Sequence, residues 1–156
     1  MKRALAIGLA AGLVLTLTAA ADQTQRFRWL GVAGRLALLA ADEGGPRDGR
    51  TLTVTAAPVG EPGPNGTDSF VFVIKSDCGT RTVQLTSAKA YAAGREIVVG
   101  GPPPSPEAVD PGSAFERVYN YACSGTVPDG PPVWIEGVGP ARTYAIERGS
   151  QTERRQ

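Results

Sequence analysis

Two cysteines in a chain without a single histidine set the tightest limit on what this sequence can build. Cys78 ends Ser69 to Cys78 (SFVFVIKSDC), an alternating strand pattern. Phe70, Phe72, Ile74, Ser76 and Cys78 share one of its faces, and Val71, Val73, Lys75 and Asp77 share the other. Cys123 lies near the end of Pro111 to Gly125 (PGSAFERVYNYACSG), which reads as a helix. Ser113 is placed to cap its first turn, Glu116 three residues later completes a capping box, and Gly125 can end it. At roughly 100° per residue, Phe115, Val118, Tyr119, Ala122 and Cys123 fall within an arc of about 140°. Two independent periodicities therefore aim both thiols into one interior. In an oxidising compartment they are expected to form one disulfide, pinning a helix onto the apolar side of a sheet.

The first 21 residues predict such a compartment. Lys2 and Arg3 precede an apolar run from Ala4 to Leu17, and Ala19-Ala20-Ala21 supplies a small-residue cleavage pattern before Asp22. The alternative is an uncleaved anchor, but the run is short for a span of about 20 residues. No cysteine sits at the cleavage site to carry a lipid anchor, and no later run is long enough to cross a bilayer. The mature chain is expected to be a soluble exported protein of the periplasm, or one held at the outer cell surface by contacts rather than by its own anchor. Removing Lys2 and Arg3 from the 16 basic residues leaves 14 against 15 acidic ones, a net charge of −1. That balance has no basic footprint for nucleic acid. The missing histidine removes Ser-His-Asp and Cys-His catalysis, histidine metal sites and the usual near-neutral proton shuttle. No cofactor is expected.

A length of 156 residues suggests one domain. Gln23 to Arg28 reads as a polar, flexible lead, and Trp29-Leu30 begins the apolar part. Arg35 to Ala41 (RLALLAA) reads as a buried strand between Gly34 and a turn-rich stop, with helix as the competing reading. Thr51 to Ala57 alternates, sending Leu52, Val54 and Ala56 one way and Thr51, Thr53 and Thr55 the other. Pro58 to Asp68 is a loop; its Asn65-Gly66 is a tight-turn signal, and Asn65-Gly66-Thr67 also matches a glycosylation sequon. Arg81 to Ala90 and Arg95 to Val99 are further strands, with Val83 and Leu85 facing in, and Gly100 to Asp110 is a proline-rich connector. Beyond the helix, Val133 to Val138 and Thr143 to Glu147 are candidate strands, and Gly149 to Gln156 is expected to be disordered. The fold class is thus α+β: an antiparallel sheet of about five to six strands with one C-terminal helix packed on one face and tethered by the Cys78–Cys123 disulfide.

One sequence order stands out: export signal, Trp29, a strand ending in Asp42, Asp77-Cys78-Gly79, Tyr91 with Gly94, Pro111-Gly112-Ser113, Glu116 and Cys123. Over about residues 29 to 124 it resembles the surface-adhesin protein E-like domain of Gram-negative bacteria. The resemblance implies a domain over 22–126, a helix held on the concave side of the sheet by the same disulfide, and an adhesin-like affinity for extracellular-matrix and plasma proteins. The chain departs from that pattern in lacking a lipid-attachment cysteine and a tryptophan before Pro111, and in carrying a C-terminal extension over 127–156. The leading functional expectation is an exported, non-enzymatic binding module that contacts extracellular or envelope proteins, with Arg81, Lys89 and Tyr91 as contact residues. The competing one is a periplasmic structural protein that self-associates through a sheet edge.

Overall fold

A computed structural model describes residues 25–42, 49–98, 105–127 and 132–154. The expected signal peptide over 1–21 lies outside them, as does much of the proline-rich connector. The fold is α+β. Its eight strands are β1 (Arg26–Ala33), β2 (Leu36–Asp42), β3 (Arg50–Pro58), β4 (Ser69–Asp77), β5 (Thr82–Ala92), β6 (Arg95–Ile97), β7 (Glu107–Ala108) and β8 (Trp134–Glu136). They form one antiparallel sheet in the order β6-β5-β4-β3-β2-β1-β8, with β7 also paired to β5. Two helices complete it: α1 (Ala114–Ser124) and α2 (Val138–Glu153).

The long central strands follow their alternation. Leu52, Val54 and Ala56 of β3 lie in the same buried cluster as Ile74 of β4 and Val83 of β5, and Phe70, Phe72 and Leu85 pack against that cluster. A bulge in β5, where Val73 faces Ser87 and Ile74 faces Leu85, takes up Thr86 as an extra residue. It shifts the parity so that Ala88 and Ala90 stand opposite Phe72 and Phe70. The first face of the sheet is covered by α1, whose Val118 and Ala122 are fully buried in this cluster.

α1 starts and stops as the sequence predicts. Ser113 Oγ accepts from the Glu116 amide at 3.1 Å, and the Glu116 carboxylate accepts from the Gly112 amide at 2.7 Å. Gly125 takes φ 69° at the C-terminal cap, a conformation that costs glycine little. Cys78 and Cys123 are bonded, with their Cα atoms 5.7 Å apart. The bridge joins the end of β4 to the last turn of α1, as the two periodicities require.

Three features differ from the sequence expectation. First, the lead segment is a strand: β1 begins at Arg26, not at Trp29, because Phe27 and Trp29 alternate with Arg26 and Arg28. Phe27 is fully buried. Second, the expected strand over Thr143–Glu147 and the expected disorder after Gly149 give way to α2, which continues to Glu153. Third, α2 covers the second face of the sheet, so the threonine side of β3 is not solvated. Thr53 and Thr55 are buried there, beside a cluster of Phe27, Leu39, Ala41, Ala57, Ala141 and Ala145. Ala141, Ala145 and Gly149 recur every four residues along α2, a stripe of small residues that lets the helix approach β3 closely. All three are buried, and a Cβ on Gly149 would lie 2.7 Å from the Pro58 carbonyl oxygen. Residues 132–154 are therefore part of the packed body, supplying one edge strand and one covering layer.

Candidate interaction surface

The three residues singled out from the sequence do not converge. Arg81 lies in the β4–β5 turn, whereas Lys89 and Tyr91 lie toward the far end of β5. At about 3.3 Å per residue, that separation approaches 30 Å. Each is held by the fold. Arg81 pairs with Glu116 of α1 at 2.8 Å and sits 5.7 Å over the Tyr119 ring. Lys89 pairs with Glu96 at 3.2 Å. Tyr91 lies under the guanidinium of Arg142 on α2, 3.6 Å from its ring centroid. Arg142 Nε also donates to the buried Ser69 hydroxyl at 3.1 Å, and that hydroxyl donates to Asp68 at 2.7 Å. Arg81 thus fastens α1, and Tyr91 helps fasten α2.

The disulfide end is similarly self-contained. The Tyr119 hydroxyl donates to the Cys78 carbonyl at 3.2 Å. Arg50 Nη1 donates to the Ala122 carbonyl at 3.2 Å, placing a cation at the negative end of α1. The Asp77 carboxylate accepts the Gly79 and Thr80 amides at 2.9 and 3.1 Å, closing the turn that presents Cys78. These amide bonds, that of Thr80 foremost, hold its pKa below the ordinary value of 3.8.

A cleft of about 350 Å³ runs between the β1–β2 turn and α1. It is lined by Gly34, Gly112, Glu116, Arg117 and Asn120, among others. Glu116 is already spent on Gly112 and Arg81, and Arg117 Nη1 reaches the Leu30 carbonyl at 3.4 Å. Among the described residues, no group of three or more His, Cys, Asp or Glu side chains is placed to hold a metal ion, and no helix is long and apolar enough to cross a membrane.

The most distinctive surface is one that sequence reading misses. β8 is the outermost strand on its side of the sheet and pairs with β1 through Arg26↔Glu136, Phe27↔Ile135 and Arg28↔Trp134. Ile135 packs with the cluster under α2. Trp134 points the other way and stays 42% exposed. The guanidinium carbons of Arg26 and Arg28 lie 5.1 and 5.2 Å from its ring centroid. Glu136 is 4.0 Å from Arg26, with both side chains largely exposed. An indole beneath two cations on an open edge offers a flat apolar ring and forked donors in one place. The local signal was the alternation Arg26-Phe27-Arg28-Trp29; nothing local links it to a tryptophan more than 100 residues further on.

No family model, no curated protein and no solved structure matches this chain.

Proposed function

We propose that this protein is an exported binding module that contacts extracellular or envelope proteins through the β8 edge and the Arg26–Trp134–Arg28 group. The observation that carries this reading is the half-exposed Trp134 held under two guanidinium groups at the rim of the sheet. Tryptophan and arginine are the side chains that most often dominate protein–protein binding energy. The Cys78–Cys123 bridge is of a kind that oxidising compartments form and keep, which supports export. The motif order that resembles the surface-adhesin protein E-like domain points the same way.

The test is a saturation binding assay of the protein and its Trp134→Ala variant on an immobilised panel of extracellular-matrix and outer-envelope proteins. Saturable binding to at least one panel member, reduced by 2 kcal/mol or about thirtyfold in the variant, is the expected result. Absence of any saturable partner, or equal binding by both forms, refutes the reading.

A further inference from the structure

The ladder between β1 and β8 fixes which backbone groups of β8 remain open. The Trp29 amide donates to the Val133 carbonyl at 3.1 Å, and the Gly137 amide donates to the Gln25 carbonyl at 2.8 Å. Hydrogen-bonded pairs alternate along an antiparallel ladder, so Phe27 and Ile135 form the bonded pair between them. The amides and carbonyls of Trp134 and Glu136 therefore point away from β1, toward the outside of the sheet. Among the described residues nothing pairs with that outer edge. Their two side chains share one face, with Trp134 beside Arg28 and Glu136 beside Arg26.

We infer, building on the binding reading above, that this edge takes an extended segment of a partner protein as an added antiparallel strand. The segment carries an acidic side chain opposite Trp134 and, two residues before it, a basic side chain opposite Glu136. Main-chain hydrogen bonds to Trp134 and Glu136 supply the attachment, as in other strand-addition complexes. The charge order supplies the register. A carboxylate opposite Trp134 falls within reach of the Arg28 guanidinium lying over the indole, and a cation opposite Glu136 meets an exposed carboxylate. The residue between them sits against Ile135 and is apolar. A second copy of the chain is the weaker occupant. Two three-residue edges meeting about a two-fold axis share only four ladder bonds, and neither strand continues past them. A flexible segment can continue past both ends of β8.

The experiment titrates ¹⁵N-labelled protein with the capped peptide Thr-Lys-Val-Glu-Val-Thr and with the same peptide after exchange of Lys and Glu. Saturating shifts are expected at the amides of Trp134 and Glu136 and at the Trp134 indole, with the first peptide bound about tenfold more tightly than the second. N-methylation of the peptide's Glu, which removes one ladder donor, should abolish these shifts. The Arg28→Glu variant leaves the backbone edge intact and should reduce the first peptide to the affinity of the second. Equal affinity for the two peptides, insensitivity to N-methylation, or shifts centred elsewhere overturns the proposal. So does concentration-dependent protection of the β8 amides in the protein alone, since that would mean a second copy fills the edge. If panel partners depend on Trp134 while both peptides fail, strand addition is wrong and the binding module stands. If the peptides behave as expected while no panel protein binds, the edge is as proposed and the choice of partners is wrong.

Discussion

Replacing both bridge cysteines with alanine should free α1 before it disturbs the sheet. The bridge closes a separation of 45 residues, which in the chain-entropy model stabilises the whole fold by about 4 kcal/mol. The local effect on α1 is set by a shorter segment. The last residue fixed to the sheet before the helix is Val109, whose amide donates to the Arg81 carbonyl at 3.2 Å and whose side chain is buried in the core, so detaching α1 releases the 14 residues up to Cys123. Closing a loop of that size is worth about 3 kcal/mol. The rest of its attachment is packing, to which the partly buried Phe115 and Tyr119 also contribute. Only Val118 and Ala122 are fully buried, contributing roughly 1.5–3 and 0.8 kcal/mol. Its ion pair to Arg81 is half-exposed and adds at most about 1 kcal/mol. An 11-residue helix is marginal without tertiary support. Native-state hydrogen exchange should therefore show the amides of Val118, Tyr119 and Ala122 losing protection by about a hundredfold, and becoming less protected than those of Val54 in β3 and Ala145 in α2. Unchanged protection in α1 would falsify the tether argument. Val54 and Ala145 also lose protection, because the whole fold is less stable without the bridge. If they fell to the level of the α1 amides the tether argument would equally fail, since the helix would then belong to one cooperative unit with the sheet.

Three further outcomes follow from the packing. Gly149→Ala should destabilise by about 1–3 kcal/mol, since its new methyl meets the Pro58 carbonyl at 2.7 Å; an unchanged or raised urea midpoint would contradict the close approach of α2 to β3. Ala145→Glu places a charge where no surface is exposed and should cost about 3–5 kcal/mol by thermal melting, while a near-neutral result would mean the second face is not covered. Asp77 has a folded pKa lowered by amide hydrogen bonds, so its stabilisation is full above the ordinary value of 3.8 and drains away as pH falls through the folded value. The stability difference between wild type and Asp77→Asn should hold constant near neutrality and shrink below pH 3.8; a difference independent of pH would show that the charge is not what the turn uses.

The parts of this fold that sequence reading recovers are those fixed by local chemistry. The β3 and β4 alternations, the Ser113–Glu116 box, the Gly125 stop and the inward aim of both cysteines each follow from a few neighbouring residues. The parts it misses depend on distant partners. β1 looks like a polar lead until β8 arrives to give Arg26 and Arg28 an indole to cover. α2 holds Gly139, Pro140 and Gly149, and its buried side is an alanine–glycine stripe with little hydrophobic contrast. The Thr53–Thr55 face of β3 passes for a wet face because threonine is polar at one atom and apolar at the next. The surroundings of the three expected contact residues are hidden for a related reason. Arg81, Lys89 and Tyr91 look free in sequence, and the fold gives each an internal partner.

A helix on each face of the sheet changes where binding can occur. An antiparallel sheet with one bare face offers that face to a partner; here Val118 and Ala122 take one side of the central strands, and Ala141 and Ala145 take the other. Beyond these central strands the rim is open, and its two sides are unequal. On the β5 side the outer strands are short and charged: β6 is three residues with Arg95 and Glu96, and β7 is two residues with Glu107. Charges and short strands are how sheets discourage further pairing. On the β1 side the outer strand is just as short, but its middle residue is rooted in the α2 cluster, and its exposed aromatic is propped under two arginines. An edge meant only to repel neighbours would gain nothing from burying Ile135 and displaying Trp134. The half-exposed Trp134 sits where the backbone is also open, and on that coincidence rests the proposed recognition at β8.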